Sequence, residues 1–289
     1  MKSPLVSICF PTFNASEYIE IVLDSIKNQI YENIQVVICD DKSNDETLAL
    51  IEKYKGSLDI KLLINKINRG VAYSVAECIK NSDGEFLCML GHDDIIHKDK
   101  VSKQIHLMMS KNCSISLHSL GQFDWESKNI SKENYYTYRF KEDEKVISLN
   151  QLNKFPLLTP SIMFRKSIFN EKFLFYTSNE VDLLLYYLMI DQCKGEIALY
   201  KNHHTYYGIN NHGLNAKDKS EDDYISKKIS ITKSKSFILL KLLEEENLNY
   251  KNFFRKELIK TYLSLIKNDP NFFFKVKYFR KIFETIFFL

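Results

Sequence analysis

The chain has 289 residues, of which 45% are hydrophobic and 27% charged, and this length suits one large domain or a domain with an appendage. Its 8 glycines and 5 prolines exclude collagen-like and Pro-rich proteins, and no apolar run reaches the roughly 18–20 residues that span a bilayer. The net charge of +3 is uneven, because residues 224–289 hold 14 Lys and Arg against 6 Asp and Glu. The slightly acidic body argues against nucleic acid as a partner, whereas an anionic surface would suit the basic tail.

The cysteines and the N-terminal segment indicate a cytoplasmic protein. None of the 6 cysteines belongs to a CxxC pair, and Cys9, Cys39, Cys88 and Cys113 lie within or beside apolar runs. We therefore expect buried, reduced thiols rather than a disulfide framework or a cysteine zinc site. The first residues also lack the apolar region and the small-residue cleavage site of a signal peptide.

Short apolar runs alternate with amphipathic stretches over the first 120 residues. Four helices are expected: one with an apolar face from Tyr18 to Ile26 and Ser16 as its N-cap, one after a Ser43–Glu46 capping box, and two over Val71–Asn81 and Lys98–Lys111. This alternation predicts βαβ units and a mostly parallel sheet with ligands at the carboxyl ends of its strands. The expected strands are Val6–Phe10, Ile34–Asp40, Ile60–Ile64, Phe86–Leu90 and Cys113–His118.

The second half of the chain has weaker periodicity. Residues 121–160 are polar and aromatic with irregular periodicity, which predicts loops and an excursion of the chain. Ser161–Phe169 and Val181–Ile190 predict a strand and a helix, and Asn202–Ala216 predicts a loop rich in His, Tyr and Asn. From Tyr224 onward the pattern is helical.

Polar residues follow the ends of four expected strands, and they include two carboxylate pairs. A carboxylate pair after an apolar strand suits Mg²⁺ or Mn²⁺ bridging to phosphate oxygens. The alternatives are turn and cap chemistry for the earlier pair and a simple turn at residues 68–70. GxGxxG, GxxxxGK[ST], GxSxG and HExxH are absent, which excludes their sites. The segments are Pro11-Thr12-Phe13-Asn14, Asp40-Asp41, Asn68-Arg69-Gly70 and Gly91-His92-Asp93-Asp94.

Five segments, in order and at the usual distances, resemble the family 2 glycosyltransferases. The resemblance covers roughly the first 110 residues. It implies a GT-A fold, an α/β architecture with a Rossmann-like, mostly parallel sheet flanked by helices, here with a C-terminal helical extension. The segments are Pro11–Asn14, Ser25–Gln29, Asp40–Asp45, Asn68–Ala72 and Gly84–Leu90.

The resemblance also implies roles for individual residues at the donor site. Gly91 stands where many members of the family have the first carboxylate of the metal motif, and Phe13 replaces a tyrosine. The nucleoside would contact Asp40, Asp41 and the segment formed by Pro11, Thr12, Phe13 and Asn14. Asn68 and Arg69 would contact the base or the phosphates. Asp93 and Asp94 would hold Mn²⁺ or Mg²⁺ at the diphosphate.

The catalytic base of the family lies near the start of a helix in the second half. Glu180 aligns best with it and Asp182 is the runner-up, although both are also ordinary acids for the first turn of a helix. A histidine of the following loop (His203, His204 or His212) could complete the metal shell or contact phosphate, with His212 preferred and a solvated loop histidine as the alternative.

Two domains are expected. Residues 1–220 would form the transferase domain, with a nucleotide-binding half (1–120) and an acceptor half (121–220), and residues 221–289 a basic, aromatic helical extension. Residues 270–289 combine Lys and Arg with Phe at helical spacing, which suits a membrane interface. The alternative is docking on the protein itself or on a second subunit, as in a homodimer.

The resemblance implies an inverting, metal-dependent transferase. It would move a hexose or N-acetylhexosamine from a nucleotide-diphosphate sugar, with UDP as the family prior, to a hydroxyl of a lipid-linked glycan. The enzyme would be cytoplasmic or peripheral at the inner face of the plasma membrane. Two alternatives are a nucleotidyltransferase and a catalytically impaired member that acts as a binding or scaffolding module.

Overall fold

The computed structural model describes residues 3–148, 158–169, 196–209 and 251–268, together with Leu239, Leu243 and Lys281. The described residues up to 209 belong to one compact unit, and the remainder belongs to a second. The helices are α1 (Ile19–Lys27), α2 (Thr47–Tyr54), α3 (Val71–Asn81), α4 (Lys100–Ser110) and α5 (Lys251–Asn268). The strands are β1 (Val6–Thr12), β2 (Ile34–Asp40), β3 (Ile60–Ile64), β4 (Phe86–Met89), β5 (Ile95–Ile96), β6 (Ile115–Asp124), β7 (Asn129–Tyr136), β8 (Glu144–Ser148), β9 (Met163–Arg165) and β10 (Glu196–Ile209).

The first unit is built on one large sheet with the strand order β3-β2-β1-β4-β9-β6-β10-β5, with β7 paired to β6 and β8 paired to β10. Strands β1 to β4 pair in parallel, and β10 runs parallel to β6. The pairs that involve β5, β7, β8 and β9 are antiparallel. The predicted α/β architecture, a large sheet flanked by helices, is confirmed, and parallel pairing places the carboxyl ends of β1, β2 and β3 at one edge.

Side chains of β1 alternate between the two faces of the sheet. Ile8 and Phe10 join a core with the buried faces of α1, α2 and α4, whereas Cys9 lies against Cys78 of α3. Both faces of β1 are therefore covered, which explains its nearly continuous apolar sequence. The burial expected of the cysteines is confirmed for those described, and no disulfide joins these residues: Cys9, Cys39, Cys78, Cys88 and Cys113.

The structure corrects two predictions for the second half. Residues 121–160 are not only loops, since β6 continues to Asp124 and is followed by β7 and β8. The loop expected from Asn202 is wrong up to Ile209, because these residues lie in β10. The pairing of β10 with β6 shifts register between Tyr200 and Thr205, which interrupts the alternation that would have indicated a strand.

Both expected helix caps are also wrong. Helix α1 has Tyr18, not Ser16, as its N-cap residue, and α2 follows Glu46 without a capping box. The side chain of Asp45 instead bonds residues near the starts of both helices. Its carboxylate accepts hydrogen bonds from the N–H of Ser16 and from the N–H and hydroxyl of Thr47. Burial opposes the charge of Asp45, but these hydrogen bonds outweigh it and lower the pKa of the carboxyl.

The described part of the second unit is dominated by α5. Leu258, Tyr262 and Leu265 are buried at helical spacing on one of its faces. No helix among the residues that the structure describes is long and apolar enough to cross a membrane. Apart from Lys281, the tail 270–289 lies outside these residues.

A polar network closes the amino edge of the sheet around Gly84. The Gly84 N–H donates to Ser7 Oγ, which donates to Gln35 Oε1 at 2.8 Å. A Cβ at Gly84 would lie 2.5 Å from the backbone nitrogen of Ser7 and 2.9 Å from the carbonyl oxygen of Phe86. This position therefore requires the absence of a side chain.

We expect Gly84→Ala to lower the free energy of unfolding by about 1–3 kcal/mol, because backbone atoms must move to admit the methyl group. Urea denaturation of both proteins measures this difference. Gly56→Ala is the matched control, since nothing lies within 4 Å of a Cβ at that position. Equal losses in the two variants would contradict the packing argument.

Candidate active site

Segments that follow β1, β2, β3 and β4 meet at the edge of the sheet, here called the carboxyl edge (residues 11–14, 40–45, 65–70 and 91–94). The Asp41 N–H donates to the Thr12 carbonyl oxygen at 2.8 Å, and the Asn65 N–H donates to the Asp40 carbonyl oxygen at 2.9 Å. These bonds continue the parallel pairing beyond the strands. The sequence segments predicted for the donor site therefore lie side by side.

Asp41 holds the segment after β3 in place. Asp41 is 4% exposed, and its carboxylate accepts hydrogen bonds from Asn65 Nδ2 and from the backbone N–H groups of Arg69 and Gly70, at 2.7–2.8 Å. Gly70 has a φ of 86°, which favours glycine, and it precedes α3. The carboxylate thus fixes the backbone of residues 69–70 at the carboxyl edge.

Asp40 folds the segment after β2 through turn chemistry, the alternative raised from the sequence. Its carboxylate accepts hydrogen bonds from the N–H and the hydroxyl of Ser43. The Ser43 hydroxyl oxygen in turn accepts the Asn14 N–H at 2.9 Å, and Asn14 Oδ1 accepts the Asn44 N–H. The loops after β1 and β2 are thereby joined into one wall.

Several predicted donor-site residues expose groups at this edge. Phe13 is 42% exposed, and Asn68 is exposed as well. The guanidinium of Arg69 lies over the ring of Tyr73, 3.8 Å from its centre, so this cation is positioned rather than freely mobile. Thr12 differs, because its hydroxyl is buried and makes no hydrogen bond within the described residues.

Asp94 connects the loop after β4 to strand β10. Asp94 is 1% exposed, and its Oδ2 accepts the Gly91 N–H at 2.9 Å while its Oδ1 accepts the Gly208 N–H at 3.2 Å. Each carboxylate oxygen thus bonds a backbone group. Asp94 holds the conformation of residues 91–94.

Asp93 lies beside an aromatic group at the same loop. Its carbonyl oxygen accepts a hydrogen bond from Trp125 Nε1 at 3.0 Å, and the Trp125 ring lies 4.7 Å from that of Tyr18. Burial raises the pKa of the Asp93 carboxyl, and the charge of the neighbouring His92 opposes part of this shift. A cation beside this carboxylate would favour its ionised form.

Sequence reasoning missed four residues that shape this site: Tyr18, Asn65, Trp125 and Gly208. A Cβ at Gly208 would lie 2.1 Å from the Asp93 carbonyl oxygen and 2.5 Å from Trp125 Nε1. Trp125 is the only tryptophan of the chain, which is a weak signal, and Gly208 interrupts an aromatic run. Neither signal indicates a distant partner.

The other predicted site residues lie outside the described residues. They are the candidate bases Glu180 and Asp182 and the candidate metal ligand His212. The two histidines that precede His212 in the chain are described in β10. His203 Nε2 lies 3.0 Å from Thr137 Oγ1, and His204 contacts Asp99.

Comparison with known proteins identifies the family. The model of glycosyl transferase family 2 matches residues 7–173. The chain therefore belongs to this family, as the sequence motifs predicted.

Relatives and solved structures agree with this assignment. The chain is 32% identical over 154 residues to the Escherichia coli protein named UDP-Glc:alpha-D-GlcNAc-diphosphoundecaprenol beta-1,3-glucosyltransferase WfgD, covering 53% of this chain and 57% of that one. The chain spans about three-fifths of the length of the curated relatives first matched. The crystal structure of S. aureus TarS 1-349 with UDP-GlcNAc has a TM-score of 0.74 at 17% identity, covering 98% of this chain and 81% of that one. The shared architecture is the GT-A fold.

We expect Gly91→Asp, which restores the carboxylate common in the family, to destabilise the protein and to leave any transfer activity no higher. A Cβ at Gly91 would lie 2.5 Å from Asp94 Oδ2 and 3.1 Å from Asp93 Oδ1. Asp94 would have to give up a backbone hydrogen bond, at a cost of about 1–3 kcal/mol. Urea denaturation measures the loss, and Gly91→Ala separates the steric part from the charge. A stable variant with faster turnover would refute the expectation.

Proposed function

We propose that the protein transfers a sugar from a nucleotide-diphosphate sugar to an acceptor hydroxyl. The observation that carries this proposal is the convergence of the segments after β1, β2, β3 and β4 at the carboxyl edge, where Asp41 holds the backbone of residues 69–70 and Asp94 holds the loop that contains Asp93. A nucleotidyltransferase would normally have a Gly-rich phosphate loop after the first strand, where this chain has Pro11–Asn14. The motifs therefore favour glycosyl transfer.

The donor would lie along the carboxyl edge. The backbone of Pro11–Asn14 and the Phe13 ring would line the nucleoside, and Asp40 and Asp41 would shape the wall beside the base. Arg69 would approach the phosphates, since its cation stands at the edge on the Tyr73 ring. UDP is the favoured nucleotide, because the relative WfgD is named for UDP-Glc and the TarS structure contains UDP-GlcNAc.

The site fits a hard divalent cation. The carboxyl pKa of Asp93 is raised by burial, so a nearby cation would relieve the cost of its charge. Carboxylate and phosphate oxygens are the ligands that Mn²⁺ and Mg²⁺ prefer. Asp93 would be a direct ligand, with Asp94 beside it and His212 as a further candidate. The ion would supply positive charge that stabilises the departing diphosphate.

The reaction would invert the anomeric configuration. The acceptor oxygen would attack C1 of the sugar from the face opposite the diphosphate, while a carboxylate removes its proton. Glu180 is the first candidate for this base and Asp182 the second, as implied by the family.

The proposed transferase domain comprises residues 1–220, and the proposed helical extension comprises residues 221–289.

The acceptor would be a lipid-linked glycan in polysaccharide biosynthesis. This choice follows WfgD, whose name specifies a GlcNAc-diphosphoundecaprenol acceptor. The basic, Phe-rich segment 270–289 would place the protein at the inner face of the membrane, and pairing of the C-terminal helices in a homodimer is the alternative. Binding to anionic and neutral vesicles, with and without this segment, distinguishes the two.

We expect Asp93→Asn to lower kcat/KM by at least about 100-fold while the fold is retained, because the variant loses a ligand carboxylate. Removal of a partly buried charge should not reduce the stability of the metal-free protein. Release of UDP from UDP-sugars with Mn²⁺ measures the turnover. Asp59→Asn, an exposed carboxylate at the opposite edge of the sheet, is the control. Unchanged turnover in Asp93→Asn would exclude its role as a metal ligand.

Replacement of the true base should lower kcat by about 100- to 10,000-fold with little change in donor binding. We expect this result for Glu180→Gln and a smaller effect for Asp182→Asn. Single-turnover transfer and donor titration measure the two quantities separately. The assignment would have to be reversed if Asp182→Asn alone stopped transfer, and it would fail if neither variant were impaired.

A further inference from the structure

A second group of metal-ligating side chains lies away from the carboxyl edge, where β5 runs into α4. His97, Asp99 and His204 offer ligand atoms that all lie within 4.8 Å of one another. His97 Nδ1 and His204 Nδ1 lie 2.5 and 3.1 Å from the same oxygen, Asp99 Oδ1. From these contacts we propose that His97, Asp99 and His204 bind a zinc-class transition-metal ion that is distinct from the ion at Asp93.

The carboxylate of Asp99 faces the two histidines. Asp99 stands at the N-cap of α4, yet its side chain makes no capping hydrogen bond and contacts the histidines instead. His204 is 6% exposed, and its Nδ1 is the ring nitrogen on the side of Asp99. Three ligand atoms are thus already gathered at one place in the fold.

The ligand types select a metal different from that of the donor site. Two imidazoles and a carboxylate suit Zn²⁺ and its neighbours, whereas Mg²⁺ prefers oxygen ligands alone. Ligands about 2.0–2.1 Å from a tetrahedral zinc lie about 3.4 Å apart, so shifts of about 1–1.5 Å in these side chains would form three corners. The side chain of His97 is 40% exposed, which leaves the fourth position to water.

One basic side chain lies next to the cluster in the sequence. Lys100 is buried at the start of α4, and its Nζ donates to Cys88 Sγ and to Gln104 Oε1. The Asp99 carboxylate contacts the two histidines.

The proposed ion would stabilise the β5–β10 strand pair, which supports the active site. β5 pairs antiparallel with β10 at Ile96 and Thr205, next to two of the proposed ligands. Further along β10, the Gly208 N–H holds Asp94. His204 and Gly208 are four positions apart, which is about 13 Å along a strand, so the two sites are separate but share one strand pair. Zinc would stabilise the end of this strand pair that lies farther from the donor site.

Titration of the metal-stripped full chain with zinc chloride in a calorimeter tests the proposal. We expect one zinc ion per chain, and at least about 100-fold weaker binding in His97→Ala and in Asp99→Asn. His106→Ala removes an exposed histidine of α4 outside the cluster and is the matched control, with unchanged affinity. Bound Co²⁺ should show the visible absorption of a tetrahedral site in the wild type but not in His97→Ala.

Asp93→Asn separates this proposal from the proposed function. We expect this variant to bind zinc as the wild type does, whatever its transfer activity. Zinc affinity that is equal in His97→Ala and His106→Ala would overturn the proposal. So would zinc binding that is lost in Asp93→Asn but kept in His97→Ala, because the ion would then lie at the donor site.

Discussion

Buried carboxylates that accept backbone N–H groups hold the carboxyl edge together. Asp41 bonds the backbone of residues 69–70, and Asp94 bonds Gly91 and Gly208. A buried carboxylate is costly unless its oxygens are satisfied, and hydrogen bonds to an ionised acceptor are roughly twice as strong as neutral ones. These bonds hold the backbone of the loops, which would lower the ordering cost of donor binding.

The first half of the fold could be predicted from the sequence because local and long-range preferences agree there. Helix α3 has the bounds expected for it, and strand β2 likewise, since an apolar run covered on both faces admits few alternatives. The second half could not be predicted in the same way. Strand β10 carries two register shifts and many polar and aromatic residues, so its pattern resembles that of a loop. Its position depends on β6, which is distant in the sequence.

The sequence predicted which segments form the candidate site. It did not predict which of their atoms are engaged in hydrogen bonds with distant parts of the chain. The motifs placed Asp93 and Asp94 together at a strand end, as the structure does. They could not show that an oxygen of Asp94 accepts the N–H of Gly208, 114 residues later. Nor could they show that Trp125 donates to the Asp93 carbonyl oxygen. Such contacts depend on the tertiary fold, because short sequence windows contain only one partner.

The departure from the family pattern at Gly91 has a physical explanation in the same contacts. Without a side chain at residue 91, Asp94 Oδ2 can approach its backbone nitrogen to 2.9 Å. Gly208 admits Trp125 and the Asp93 carbonyl in the same way on the other side of the loop. A missing carboxylate thus coincides with a tighter loop. Backbone N–H groups bond both carboxylate oxygens of Asp94. Asp93 would therefore be the main carboxylate that binds a cation at the donor diphosphate.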